Sequence, residues 1–367
     1  MEPLPLTSRA DFRTVPHDPW NRFHGQGNVG SMVTISDVAT RAGVGAGTVS
    51  RVLNGSPRVS ESTRAKVLAT IDELGYRPNP LAQGLSRGRC QTLGVVVPFF
   101  THASAVERLR GVAAALDGSR YDLVLFDVEQ PVHRDEFLAT LTRRDRADGL
   151  IIMSMPPPPD ALQRILDGGV PVVLIDALGD GVPIVRTDDV EGGRLATRHL
   201  VALGHRRIAF IGDAPDNPLG FVSSTERERG YREVLEAADV GVDEQLVRHG
   251  AHDREVAHRL TYELLDRPDR PTAVFAASDV QALGVIEAAR TRGLDVPVDL
   301  SVIGFDDIEL AVYAGLTTIR QPLAESGALG TRLLLEALRG EAAPAADVHE
   351  LPLELVERST TAPWNRP

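Results

Sequence analysis

From Ser31 onward the apolar positions of this chain follow two rhythms. Between Ser31 and Tyr76 they recur every three or four residues in three short segments, the spacing of helices that bury one face. Thr34 can cap the first, with Asp37 three residues on completing a capping-box pair, and Val38 and Ala39 turn inward. Gly43 stops it. A second helix is predicted from Ala46 to Asn54, and Ser60 caps a third, whose Val67, Leu68, Ile71 and Leu74 share the helical repeat before Gly75. Arg77-Pro78-Asn79-Pro80 then breaks the chain, because two prolines forbid continuous helix. A short helix can restart there, with Asn79 as cap and Pro80 at its first position.

After Arg89 short apolar runs alternate with amphipathic helices, the pattern of parallel strands joined by crossover helices. The runs are Leu93–Val97, Asp122–Phe126, Gly149–Met153, Val170–Ile175, Arg207–Ile211, Ala273–Ala276 and Ser301–Phe305. Helices are predicted at Leu195–Leu203, Glu226–Ala238, Glu255–Leu265 and Val280–Arg292. So many units exceed one ordinary sheet and predict two doubly wound lobes with a cleft between them. Pro156 to Pro159 reads as a surface loop of polyproline character.

Charge sharpens this division. The net charge of −12 is unevenly spread. Residues 31–89 carry eight basic and four acidic side chains, a net +4, residues 1–30 balance, and the remainder carries −16. A basic head on an acidic body confines nonspecific nucleic-acid contact to the head. Residues 1–30 have no apolar period and read as a disordered arm, or as a mis-assigned start with translation beginning near Met32. No run reaches the roughly 20 apolar residues of a membrane span, and no signal peptide is legible, so the expected compartment is the cytoplasm. The single cysteine, Cys90, fits a reducing compartment as a small half-buried residue.

Helix-turn-helix packing needs a small residue in the first helix, a glycine at the turn and a branched apolar residue in the second. Ala39, Gly43 and Val49 supply these, four and then six residues apart. The longer string VTISDVATRAGVGAGTVSRVLNGSPRVSESTRAKVLATIDELGYRPNPLAQGL resembles the LacI/GalR family of bacterial repressors almost residue for residue. The resemblance implies an all-α helix-turn-helix head over residues 31–76 and a hinge helix over 77–90. It also implies an α/β, two-lobed, periplasmic-binding-protein-like sensor over 91–360, with a tail at 361–367. Ala46, Gly47 and Arg51 then occupy base-reading positions, where the guanidinium can pair with guanine. Thr34, Thr48, Ser50, Asn54 and Ser60 match phosphate-holding positions. Asn79, Ala82 and Leu85 match the hinge, with Leu85 as the apolar wedge that kinks the duplex. The Gly45-Ala46-Gly47 run departs from the commoner pattern and leaves direct readout to Arg51 and an Ala46 contact with a thymine methyl.

In the body, VRTDDVEGGRLATRHLVALGHRRIAFIG, RERGY, FAASDVQALG and DLSVIGFDDIEL look like the family's sensor core, which grips a sugar or, less often, a nucleobase or other small metabolite. Arg227 matches the arginine that forks onto ligand hydroxyls, Asp306 its acceptor partner, and Ser278 a position of asparagine or serine. Asp279 and Asp307 read as helix caps. On the first lobe Phe99, His102, Ser104 and Ala105 replace the usual polar and aromatic set, leaving Phe99 or Phe100 to stack, and His102 either to touch the ligand or to stand as a solvated loop residue.

The paired carboxylates Asp188-Asp189 and Asp306-Asp307 are sequence neighbours on loops, which does not give two groups of split acidity, and no nucleophile elbow is present. His252 and His258 do not share metal-ligating spacing. A phosphate cradle at the glycine run fails because no strand precedes it. An enzyme is therefore not expected, nor a metal or cofactor. The expected function is a homodimeric repressor of a carbohydrate-utilisation operon, binding a pseudo-palindromic operator and released by a sugar-like effector. Leu323 to Leu338 is the expected part of the dimer surface, and the tail lacks a leucine heptad that would make a tetramer.

Overall fold

The computed structural model describes residues 33–77, 90–340 and 346–364. It separates into two units, residues 1–79 and 80–367. The hinge positions Asn79, Ala82 and Leu85 and the arm of residues 1–30 lie outside the described residues.

The head has three helices, α1 (Ile35–Ala42), α2 (Ala46–Leu53) and α3 (Glu61–Leu74). Thr34 and Asp37 close the predicted capping box: the Asp37 amide donates to Thr34 Oγ1 at 3.3 Å and the Thr34 amide to Asp37 Oδ2 at 2.8 Å. Gly43 takes φ +63°, so α2 can leave α1 at a sharp angle over a core of Val38, Ala39, Ala42, Val49, Val52 and Val67. Leu68 departs from expectation and is 46% exposed. The buried stripe of α3 runs through Val67 and Thr70, and Leu68 lies one residue, about 100° of rotation, off it.

The body holds two six-stranded sheets. The first contains β1 (Thr92–Pro98), β2 (Asp122–Val128), β3 (Gly149–Met153), β4 (Val172–Ile175), β5 (Ile184–Arg186) and β11 (Val348–Glu350), in the order β11-β5-β4-β3-β1-β2, all parallel. The second contains β6 (Ile208–Asp213), β7 (Val247–Gly250), β8 (Ala273–Ala276), β9 (Ser301–Asp306), β10 (Thr317–Arg320) and β12 (Glu354–Val356), in the order β12-β10-β9-β8-β6-β7. Among the described residues only β12 runs antiparallel, against β10. The seven predicted runs all form strands. The five missed, β5, β7, β10, β11 and β12, have three or four residues each.

Both lobes therefore repeat one strand order, and in each the order reverses beside the first strand, which opens a crevice at the carboxyl ends. The chain passes between lobes three times, after β5, after β10 and after β11. Pro157 is buried and Pro159 begins α6 (Pro159–Asp167), so the proline run is partly core and helix start.

Two helix pairs lock the lobes. In the first, α4 (Ala103–Leu116) lies so close to α12 (Leu323–Arg339) that a Cβ on Gly111 would sit 1.8 Å from the Ala324 carbonyl oxygen, and one on Gly327 would sit 2.0 Å from that of Arg108. In the second, α7 (Asp189–Ala202) meets α8 (Ser223–Ala237) the same way: a Cβ on Gly193 would lie 2.1 Å from the Arg227 carbonyl oxygen. The apolar face of α12, including Leu334, Leu335 and Leu338, is thus spent within its own lobe, which leaves the opposite face for the dimer surface expected at 323–338.

Candidate nucleic-acid interface and ligand cleft

On the head, packing Val49 and Val52 inward leaves the other side of α2 to solvent. Ala46, Gly47, Arg51 and Asn54 are exposed there, and Thr48 and Ser50 are half-buried at its margin. Asn54 donates to Ser50 Oγ at 3.3 Å, and exposed Ser60 caps α3. A Cβ on Gly47 would lie 3.8 Å from Arg51 Nη2, so the arginine lies across bare backbone one turn back. Its guanidinium is the long donor of this face, in a short helix of the size that fits a major groove.

In the body, a cavity of about 120 Å³ opens between the lobes at the strand ends. Arg227 lines it and is 6% exposed, so it is not one more solvent arginine. Its Nε donates to Asp189 Oδ1 at 2.7 Å and its Nη1 to the Ala277 carbonyl at 2.6 Å, while Nη1 stands 3.9 Å from Asp306 Oδ1. The guanidinium also lies 3.7 Å over the Phe305 ring. Burial pushes the Asp189 carboxyl up to about 7 despite this arginine, and it raises Asp306 against the pull of Arg227, His252 and Arg108.

The first lobe faces this with Phe99, His102, Arg108, Ser154 and Asp176. Phe99 stacks on His102 with ring centroids 5.0 Å apart, and His102 stacks on His252 of the second lobe at 5.3 Å. Phe99 also meets Phe221 edge-on at 6.5 Å. The rings thus close one side of the cleft from both lobes. Burial and then the nearby His252 hold the His102 imidazole below its ordinary value. Burial works against the charged form of His252 too, but its bond to Asp213, at 3.1 Å, more than offsets this and raises it. Asp213 is held low by the same contact in spite of its burial, and Gln281 Nε2 also donates to it at 2.9 Å.

Of the five predicted ligand residues, Phe99, His102, Arg227 and Asp306 line one cavity, as do Ser104 and Ala105. Ser278 does not. Its Oγ accepts from the Gln281 amide at 3.2 Å, which makes it the cap of α10 (Asp279–Thr291), and a capping serine and a ligand serine look alike in sequence. Asp279 accepts from the Ile308 amide and the Thr318 hydroxyl, and Asp307 pairs with Arg320 and Arg358, so both join chain segments instead of capping helices. Asp188 caps α7 while Asp189 holds Arg227, so that pair is no catalytic dyad. Sequence reasoning missed Arg108, Asp176, Asp213, His252 and Gln321 as cleft residues. One signal was available for Arg108: Arg108-Leu-Arg-Gly111 repeats the Arg227-Glu-Arg-Gly230 spacing. Among the described residues no cluster could hold a metal ion, and no helix is long and apolar enough to cross a membrane.

Residues 34–79 match the bacterial regulatory proteins of the lacI family, and residues 197–361 match the periplasmic binding protein-like domain. The chain is 34% identical to the catabolite control protein A of Priestia megaterium, over 90% of its own length and 99% of that protein. Among solved structures it is similar to a transcriptional regulator CelR in complex with cellobiose, at 35% identity and a TM-score of 0.65, covering 89% of this chain and 99% of that one. It is also similar to a lac repressor dimer bound to operator and an anti-inducer, at 30% identity and a TM-score of 0.73, covering 90% and 99%. A groove-sized helical head, two lobes closing on a buried arginine and relatives matched nearly end to end agree. The chain belongs to the LacI family of bacterial regulatory proteins: it is a sequence-specific DNA-binding transcription regulator governed by a ligand, and not an enzyme.

Proposed function

We propose that this regulator acts in the cytoplasm as a homodimeric repressor of carbohydrate-utilisation genes, released when an uncharged sugar or related polyol enters the cleft. The observation that carries this is Arg227, buried between the lobes with Asp306 beside it: a planar donor fork and an acceptor suit vicinal hydroxyls. Charge defines the class. Arg108, Arg227 and His252, whose charged form the bond to Asp213 favours, already face the carboxyls of Asp176, Asp213 and Asp306, so a phosphate dianion would enter unmatched. The relative bound to cellobiose carries an uncharged sugar.

A second copy of the chain has a surface to meet. Helix α11 (Glu309–Ala314) presents Tyr313 at 78% exposure with Leu310 and Val312, and the edge strand β2 presents Val124 and Leu125. Two heads imply a pseudo-palindromic operator. In each, Arg51 and the Ala46 methyl read bases across the bare backbone of Gly47, while Thr34, Thr48, Ser50, Asn54 and Ser60 hold phosphates, with Asn79, Ala82 and Leu85 entering the minor groove.

Thermal denaturation with a panel of uncharged sugars and their phosphates tests the effector class: only uncharged members raise the midpoint, and stabilisation by phosphorylated sugars alone would overturn it. For readout, Arg51→Ala costs about 1–3 kcal/mol of specific DNA affinity and relaxes preference at one base pair. Anisotropy titrations with single-base operator variants measure this, and an unaltered preference assigns the reading elsewhere.

A further inference from the structure

The two lobes repeat more than their strand order. Arg108 on α4 and Arg227 on α8 each follow the first strand of their lobe, and each stands three residues before a glycine at the close helix crossing, Gly111 and Gly230. Both are buried, at 4% and 6% exposure. Each faces a carboxylate at the end of the fourth strand in chain order among β1–β5 or β6–β10: Asp176 just beyond β4, and Asp306 closing β9. Both aspartates have a positive φ, 54° and 116°, which few non-glycine residues adopt. Arg108 Nη2 lies 2.9 Å from Asp176 Oδ2, where Arg227 Nη1 lies 3.9 Å from Asp306 Oδ1.

Gln321, at the second passage between lobes, ties the pairs together. Its Nε2 donates to Asp306 Oδ1 at 2.6 Å, and its Oε1 accepts from Arg108 Nη2 at 3.4 Å and from the Thr187 hydroxyl at 3.2 Å. Arg108 Nε is buried without a hydrogen-bond partner among the described residues, whereas Arg227 Nε is committed to Asp189. A buried donor left open costs free energy unless something accepts from it.

We propose that Arg108 is the first-lobe counterpart of Arg227 and a second specificity-determining residue for the effector. Each lobe then offers one guanidinium with a carboxylate facing it, Asp176 or Asp306, so the fitting ligand is an uncharged polyol with hydroxyls on two opposite edges, both donating and accepting at each. Closing the lobes brings the second fork into reach, and Gln321 reports its engagement to Asp306. This rests on the cleft being the effector site.

The test uses the full chain and a panel of D-ribose, D-glucose, cellobiose and myo-inositol, with affinity measured calorimetrically for the member giving the largest thermal shift, and for its monodeoxy analogues. Arg108→Lys keeps the charge but loses the fork, and it weakens binding by about ten- to a hundredfold. It also abolishes discrimination against one particular deoxy analogue, which a loss of packing alone would not do. Arg110→Lys, exposed one residue from Gly111, binds as the unaltered chain does. If the lysine variant does not fold, Arg108→Gln provides the same comparison. Undiminished affinity and unchanged analogue ranking in the folded variant would overturn the assignment of Arg108 alone. Failure of the unaltered chain to bind any panel member would overturn the effector reading and this proposal with it.

Discussion

Arg227→Met uncouples the regulator from its effector: affinity for the sugar falls about a hundredfold or more, and DNA affinity no longer changes when sugar is added. The magnitude follows from what the guanidinium holds. It donates to Asp189 and the Ala277 carbonyl, lies over Phe305 and faces Asp306, all out of water. Removing one partner of a buried charge cluster typically costs about 3–5 kcal/mol, because the remaining charges stay behind unmatched. Here the cost depends on pH, and the sign can be worked out. Burial already pushes the Asp189 carboxyl up to about 7, above its ordinary value, so the folded chain holds a proton there more readily than the unfolded chain does. A raised carboxyl of this kind favours folding at low pH and costs stability as pH rises through its folded value. Without the guanidinium that value rises further. The thermal midpoint of Arg227→Met therefore recovers toward that of the unaltered chain as pH falls from about 8 to about 6. A deficit that is constant across this range would contradict the assignment.

Gly111→Ala destabilises the first lobe by about 3 kcal/mol, near the upper end of what overpacking usually costs. Its Cβ would be 1.8 Å from the Ala324 carbonyl oxygen and 2.9 Å from the Ala328 amide nitrogen. Neither is a flexible side-chain end, so α4 and α12 must separate, and Arg108 moves with α4. Gly47→Ala is the contrasting case. Its Cβ meets only Arg51 Nη2 at 3.8 Å, and alanine in an exposed helix gains about 0.5–1 kcal/mol over glycine. Calorimetry of the two variants should show opposite shifts, one in the body transition and one in the head. A Gly111→Ala body as stable as the original would mean that the helices do not cross backbone to backbone.

The head was legible almost in full because its determinants are local. The capping box, the left-handed Gly43 and the Ala39–Val49 contact all lie within sixteen residues of one another. Leu68 misled because its neighbour Val67 takes the inward place. In the body, the central strands buried on both faces stood out as apolar runs, whereas β11 (Val-His-Glu) and β12 (Glu-Leu-Val) are short edges without one. The cleft was legible where the family resemblance marked it, at Arg227 and Asp306. It was not legible where function comes from the meeting of distant strand ends: Asp176, Asp213, His252 and Gln321 acquire their roles only when two sheets converge. Ser278 is ambiguous in sequence, since its motif fits a cap as well as a contact, and its hydroxyl caps α10.

The central claim is that the cleft around Arg227 governs what the basic head does. It is tested most directly by anisotropy titration of a pseudo-palindromic duplex, selected by the full chain from a random pool, at low and high salt and with or without the sugar found by thermal denaturation. The account predicts specific binding that weakens steeply with salt, and an affinity that the sugar changes about tenfold or more in the unaltered chain but not in Arg227→Met. Binding that is indifferent to sequence, or a sugar effect that survives the loss of Arg227, would contradict it.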